Sequence, residues 1–243
     1  GAVIRLCALM PYDGCRKIAA TFNRAYADRG ETVGKSYVAS LAKRRSLAIL
    51  SLRCKLKNRA TRPGPRNLTW AADLTFLPDH PRPVLGVIDH GTRALVAVRD
   101  MRTRTTVAML RALLDAVERF GTPRFLRTDN EPIFASRWFT LGLALMGIRH
   151  QRIDRFSPWQ NGRIERVFLT LKSRLLQFWA AAGVPDDVQG DLDVERIWYN
   201  HARPHQALDR RTPAEAWDPQ RQRGQMRWFE AWGGLLSGYG RPT

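Results

Sequence analysis

From Asn67 onward the hydrophobic positions change period repeatedly, and the changes outline an α/β domain. Leu68–Phe76, Val84–Asp89 and Ala94–Val98 are short runs of strand character, and His90-Gly91-Thr92-Arg93 joins the last two as a hairpin. Thr105 to Phe120 repeats at helical spacing, with Val107, Leu110, Leu114 and Val117 as the expected inner face and Gly121 as the stop. Arg124–Thr128 then predicts a strand, Ser136–Met146 a helix and Ile148–Ile153 a strand. Gly162–Ala180 predicts a helix that turns Ile164, Phe168, Leu171, Leu175 and Trp179 inward, and Asp187–Ala202 predicts another. Three strands followed by alternating helix and strand imply a mixed sheet flanked by helices. No internal repeat is visible. The last stretch, Pro219–Thr243, is rich in Arg, Gly and Trp and carries no readable period.

Residues 13 to 45 read as two helices around a tight turn. Ile18, Ala19, Phe22 and Tyr26 recur at helical spacing, and Asp28–Gly34 breaks the pattern. A second helix follows from Lys35, with Val38, Leu41 and Ala42 inward and Lys43, Arg44 and Arg45 at its end; Thr32 is the expected N-cap. A helix-turn-helix has this shape, and its second helix enters a major groove. An ordinary helical hairpin has the same pattern. Leu47–Leu56 adds a further helix. The expected division is a helix-turn-helix region at 1–58, a basic linker with Pro63, Gly64 and Pro65 at 59–67, an α/β core with a helical extension at 68–218, and a basic aromatic tail at 219–243.

Charge narrows the partners. Forty Lys and Arg against 22 Asp and Glu give a net charge of +18, which implies an anionic polymer, because released phosphate counterions drive such binding. Charge alone leaves a ribosomal-type RNA binder or a merely well-solvated surface open. Cys7, Cys15 and Cys54 form no Cys-x-x-Cys pair, so a reducing compartment is expected and a zinc ribbon is not. No apolar stretch approaches the roughly 18–20 residues of a membrane span. Gly1–Met10 is apolar but interrupted by Arg5 and ended by Pro11, too weak for a signal peptide, and Gly1 in place of Met is expected of a fragment. The five histidines are scattered over different elements and suggest no metal cluster.

Three acids stand where chemistry would need them. Asp73 ends one apolar segment, Asp129 closes another, and Glu165 opens a helix after a turn. Magnesium takes oxygen ligands from one or two carboxylates plus substrate phosphate. Two such ions about 3.5–4 Å apart assist in-line displacement at a phosphodiester, and three carboxylates suffice to hold them. Singly, each acid has a plainer reading: a strand-end turn former, an Asx-turn before Pro132, and a first-turn acid on a helix dipole. Asp79, Asp89, Glu131 and Asp154 show that carboxylates are plentiful here. Along the same helix Lys172 lies seven residues beyond Glu165, about 10 Å up nearly the same meridian, with Arg163, Arg166 and Arg174 on the outer face.

Four blocks of residues resemble the catalytic domains of bacterial insertion-sequence transposases and retroviral integrases, the DDE superfamily. They are Trp70-x-x-Asp73-x-Thr75; Asp129-Asn130 with Phe134; Ser157-Pro158-x-x-Asn161-Gly162-x-x-Glu165-Arg166 leading to Thr170-Leu171-Lys172; and Tyr199-Asn200-x-x-Arg203-Pro204-His205-x-x-Leu208 before Thr212-Pro213. Together they run from Trp70 to Trp217. The resemblance implies a ribonuclease H-like fold, with a mixed five-stranded sheet, and two Mg²⁺ or Mn²⁺ ions on Asp73, Asp129 and Glu165. It implies nicking at element ends and attack of the freed 3′-hydroxyl on target DNA, with no covalent protein–DNA intermediate. Asn161, Arg163, Arg166 and Lys172 are then candidate DNA contacts, with Lys35, Lys43, Arg44 and Arg45 on the N-terminal helices. The expected partners are double-stranded DNA and further copies of the chain, in a bacterial cytoplasm at the nucleoid. A catalytically inert DNA-binding derivative is the alternative. One departure is clear: Glu131 stands where the family usually has Gly and adds negative charge beside Asp129.

Overall fold

The computed structural model describes residues 1–57, 64–153, 161–220 and 225–241. The chain divides into two units, Gly1–Thr61 and Arg62–Thr243. Most of the expected linker, and the Ser157-Pro158 part of the third motif, lie outside the described residues.

The first unit contains α1 (Ala2–Leu9), α2 (Cys15–Ala25), α3 (Lys35–Arg44) and α4 (Ser46–Lys57). Val3, Cys7, Ile18, Ala19, Phe22 and Val38 form its core, so the opening apolar patch is a helix packed on the next two. The connection between α2 and α3 is clasped by one amide: Asn23 Nδ2 donates to the Val33 carbonyl at 3.2 Å, and the Val33 amide donates to Asn23 Oδ1 at 2.7 Å. Because Val33 is pinned this way, the helix begins at Gly34, which caps it without a side-chain bond. The expected cap, Thr32, lies too early to serve. Lys35, Lys43, Arg44 and Arg45 are exposed.

The second unit is built on a five-stranded sheet ordered β3-β2-β1-β4-β5. Its strands are β1 (Thr69–Phe76), β2 (Pro83–Asp89), β3 (Leu95–Asp100), β4 (Phe125–Thr128) and β5 (Arg149–Arg152). β2 runs antiparallel to β1 and β3, whereas β4 runs parallel to β1 and β5 parallel to β4. Successive side chains of a strand point to opposite faces. Trp70 and Ala72 accordingly pack under α5 (Thr106–Phe120) and α7 (Arg137–Leu145), and Ala71 packs under α8 (Gly162–Ala182) and α9 (Gln189–His201). All five expected inward residues of α8 are buried.

One helical face needs correction. The buried face of α5 is Met109, Ala112, Leu113 and Ala116, with the expected Leu110 and Val117 partly buried against the same core, while Val107 is 66% exposed and Leu114 43%. This helix is apolar around most of its circumference, and the small alanines give the closest approach to the sheet. The expected helix over Ser136–Met146 is present as α7, and a short helix that was not expected, α6 (Pro132–Ala135), precedes it. Ser136 is extended between them, and its hydroxyl takes the Phe139 amide at 3.1 Å as the cap of α7.

The unreadable tail forms a hairpin, β6 (Arg227–Ala231) with β7 (Leu236–Gly240), after the short helix α10 (Pro213–Trp217). Leu236 is fully buried, and Trp198 Nε1 donates to the Ser237 carbonyl at 2.9 Å. Gly238 lies so close to α9 that a Cβ there would fall 2.5 Å from the Ala202 carbonyl oxygen.

Candidate active site

The parallel register of β1 and β4 pairs Trp70 with Leu126 and Ala71 with Arg127. The same offset carries Asp73 to Asp129, on strands about 4.8 Å apart. By alternation Asp73 shares the face of Ala71, which α8 covers. Opposite Asp73 on β2 stands Gly86. A Cβ there would fall 2.5 Å from Phe168 Cε1 and 3.1 Å from Ile164 Cδ1. The missing side chain lets the start of α8 lie directly on the sheet, and the charge of Glu165 in its first turn reaches Asp73. No sequence motif singled out Gly86; a glycine inside an apolar run was the available signal.

Asp73 carries the electrostatic signature of this gathering. The Leu74 amide donates to its Oδ1 at 2.8 Å, and Asn161 Nδ2 donates to its Oδ2 at 3.2 Å. Burial outweighs these bonds, and the charges of Asp129, Glu131 and Glu165 add to it, so the carboxyl is pushed up to about 7. Asp129 is also raised, chiefly by burial, although the Glu131 amide donates to its Oδ1 at 3.1 Å. The added charge of Glu131 is answered by an ion pair with Arg104. Among the described residues, no group of three or more His, Cys, Asp or Glu side chains is gathered tightly enough to hold a metal ion. Asp73 thus feels the charges of Asp129 and Glu165, and among the described residues the three are not closed into a cage. An all-oxygen, under-neutralised set of this kind fits a hard divalent cation.

The flanking residues divide between inward and outward positions. Asn161 is 2% exposed and turned toward Asp73, with its Oδ1 buried and lacking a partner among the described residues. Arg163, expected on the outer face, donates to the His90 carbonyl at 2.8 Å; burial, Arg93 and Arg127 push its guanidinium down to about 10. Arg174, expected on the same face, donates to the Leu235 carbonyl at 2.6 Å and lies over the Trp198 ring. Both are turned by long-range partners that spacing within one helix does not reveal. Arg166 is exposed and Lys172 partly so.

Two family models, each described as integrase core domain, match residues 65–158 and 146–213, and together they span more than half of the chain. The insertion element IS476 uncharacterized 39.2 kDa protein of Xanthomonas euvesicatoria is 32% identical over 154 residues, 61% of this chain and 44% of that protein. The chain belongs to the DDE transposase and retroviral integrase superfamily. The Pol polyprotein of Radiation murine leukemia virus (strain Kaplan) is similarly 32% identical over 83 residues, 34% of this chain and 14% of that protein. The chain therefore spans less than half the length of these relatives. Among solved structures, the HTLV-2 integrase catalytic core domain in complex with magnesium superposes with a TM-score of 0.53 at 19% identity, covering 64% of this chain and 99% of that one. The BIV integrase catalytic core domain does so with a TM-score of 0.53 at 19% identity, covering 64% and 97%. At these identities the likeness shows the fold, and the ribonuclease H-like architecture expected of the superfamily is the one present. An integrase core of this kind supports polynucleotidyl transfer in general terms. Among the described residues, no helix of this member is long and apolar enough to cross a membrane.

Proposed function

We propose that this chain is a DNA transposase that nicks element ends and joins the freed 3′-hydroxyl to target DNA, with Asp73, Asp129 and Glu165 holding two Mg²⁺ or Mn²⁺ ions. The observation that carries the reading is Asp73, an aspartate raised to about 7 by burial and by three neighbouring acids. Such a charge arrangement is costly without a cation and suited to one. Bound there, divalent ions would supply Lewis acidity at the scissile phosphate. The chain's own contribution is orientation. Asn161 and the Leu74 amide fix the two oxygens of Asp73, and the Glu131 amide fixes one of Asp129. Arg104 neutralises Glu131 at the rim.

Arg166 and Lys172 are proposed to track DNA along α8, with Arg163 and Asn161 at its start. Lys35, Lys43, Arg44 and Arg45 are proposed to serve α3 as the second helix of a helix-turn-helix, which gives 1–58 the work of end recognition. Assembly of several copies on DNA, at the nucleoid of a bacterial cytoplasm, completes the proposal. Glu131 favours a second reading, an inert DNA-binding derivative. The Asp129→Asn protein, incubated with end-sequence DNA and Mg²⁺, is expected to lose strand joining by at least about a thousandfold while still binding that DNA. Joining at the unsubstituted rate would refute the mechanism. Absence of Mg²⁺-dependent nicking by the unsubstituted chain would establish the inert derivative.

A further inference from the structure

The two faces of β4 differ. Leu126 and Thr128 are buried on the side of α5 and α7, whereas Phe125, Arg127 and the following Asp129 alternate onto the face that carries Ala71 and Asp73. Arg127 is partly exposed there, and its Nη2 donates to Gln151 Oε1 of β5 at 3.3 Å. Arg163, partly exposed at the start of α8, donates from Nη1 to the His90 carbonyl at 2.8 Å, and the buried Arg93 donates to the same carbonyl at 3.1 Å. One carbonyl thus gathers two guanidiniums, and the charge of Arg127 bears on both Arg163 and His90.

Little negative charge answers this gathering. Among the described residues, no carboxylate forms an ion pair with Arg127 or Arg163. Asp89 attracts Arg93 and Arg163, but its oxygens are taken by the Asn67 amide and by Thr92. The cation that lowers Asp129 is Arg104, whereas the field of Arg127 falls on His90 and Arg163. The His90 ring adds no charge: burial, then Arg163, Arg127 and Arg93, push it down to about 3, and its Nε2 is buried without a partner among the described residues. A guanidinium has several N–H donors, and among the described residues Arg127 and Arg163 each spend one. Such a planar fork takes a phosphate through two donors, and clustered like charges are relieved by a bound anion.

We infer that Arg127 and Arg163 clasp one backbone phosphate of the DNA strand that runs over Asp73 and Asp129, with the charge of Arg93 behind them. The inference deepens the proposed function and rests on it for the choice of DNA. The start of α8 spans the interval, since Asn161 reaches Asp73 and Arg163 reaches His90. Arg127 stands two strand residues, about 7 Å, before Asp129. The His90 amide donates to the Thr69 carbonyl, and Thr69 stands four residues, about 13 Å, before Asp73. At roughly 3.4 Å of rise for each nucleotide, the clasped phosphate lies about two to four nucleotides from the reacting one. Such a contact reads no base; it fixes the register of the DNA over the carboxylates.

Anisotropy of fluorescein-labelled end-sequence duplex tests this on the full chain without divalent metal, so that no chemistry intervenes. Arg127→Ala is expected to bind about tenfold more weakly, and Arg127→Lys, which keeps the charge, to recover most of the loss. The Arg127→Ala/Arg163→Ala double variant is expected to lose about 0.9 from the slope of log affinity against log salt, the share of one phosphate. A loss of about 1.8 would assign the arginines separate phosphates and overturn the clasp. Unchanged affinity in an Arg127→Ala chain of unaltered melting temperature would overturn it too. So would an equal fall from Arg210→Ala, an exposed arginine outside the cluster, which would reduce the effect to net charge. Gln151→Ala removes the hydrogen-bond partner of Arg127 and leaves its charge, so it should keep the affinity; an equal loss there would make Arg127 a structural tie between β4 and β5. A single neutral methylphosphonate about two to four nucleotides from the reacting phosphate should leave Arg127→Ala without further effect, and the same result only at another position would overturn the placement. If the unsubstituted chain joins DNA and the variants bind normally, the clasp fails alone. If it neither nicks nor joins yet the variants lose binding as expected, the proposed chemistry fails and the clasp stands.

Discussion

Asp73 and Asp89 occupy neighbouring strands of one sheet and have opposite electrostatic settings. Asp89 is fully buried, and its oxygens accept the Asn67 amide at 3.0 Å, the Thr92 amide at 2.7 Å and the Thr92 hydroxyl at 2.8 Å. It closes the β2–β3 turn, and each of its donors comes from the chain around it. Among the described residues, Asp73 accepts two such bonds and faces three further acids. Burial raises both carboxyls, but in Asp73 the neighbouring charges raise it further, whereas the neighbours of Asp89 oppose the rise. Burial alone therefore does not identify a functional acid. What distinguishes Asp73 is that, among the described residues, its surroundings leave negative charge unanswered.

Asp89→Ala is the strongest way to break that contrast. Removing the acceptor strands three donors, and a loss of about 3 kcal/mol or more in urea unfolding is expected. An equal loss from Asp73→Asn would erase the distinction. Instead, Asp73→Asn should stabilise the metal-free chain, and the sign follows from linkage. The carboxyl stands at about 7 in the folded chain against an ordinary 3.8, so the folded state holds its proton more tightly across that window. Stability from this group falls as pH rises from about 4 to about 7 and stays lost above. Asp73→Asn should therefore raise the melting temperature by a few degrees near pH 8 and change it little near pH 4. Mg²⁺ should raise the melting temperature of the unsubstituted chain more near pH 8 than near pH 5.5, and release a proton as it binds. A pH-independent Mg²⁺ effect would detach Asp73 from the metal. The smallest effect belongs to Glu131→Gln. Its charge helps raise Asp73 but is already paired with Arg104, so the midpoint of the Mg²⁺ effect should fall by only a few tenths of a pH unit. A shift of a full unit would mean that Arg104 does not neutralise Glu131.

The elements that could be read along the chain were those whose signal is local. β1, β2 and β3 are largely apolar runs bounded by turn residues, β4 (Phe-Leu-Arg-Thr) and the wholly polar β5 (Arg-His-Gln-Arg) were legible only through apolar neighbours such as Ile148 and Ile153, and the buried face of α8 is one stripe of large side chains. The face of α5 was misread because Val107 and Leu114 are larger than Ala112 and Ala116, although the alanines allow the closer contact with the sheet. Arg163 was assigned to the surface because its position on the helix is known from spacing and its partner, the His90 carbonyl, is not. The β6–β7 hairpin was invisible because Leu236 is its only fully buried side chain among the described residues, and its glycines seat it against α9.

The sequence by itself determined which acids were candidates, since carboxylates after strands and in a first helical turn are positions that one chain can display in order. Only the tertiary structure decided that the charges of Asp129 and Glu165 bear on Asp73 and that Asp89 does not belong with them. The reason is physical: register and helix docking set the distances between charges. Gly86 shows it most simply, because the absence of a side chain, unremarkable along the chain, lets α8 bring Glu165 to the sheet.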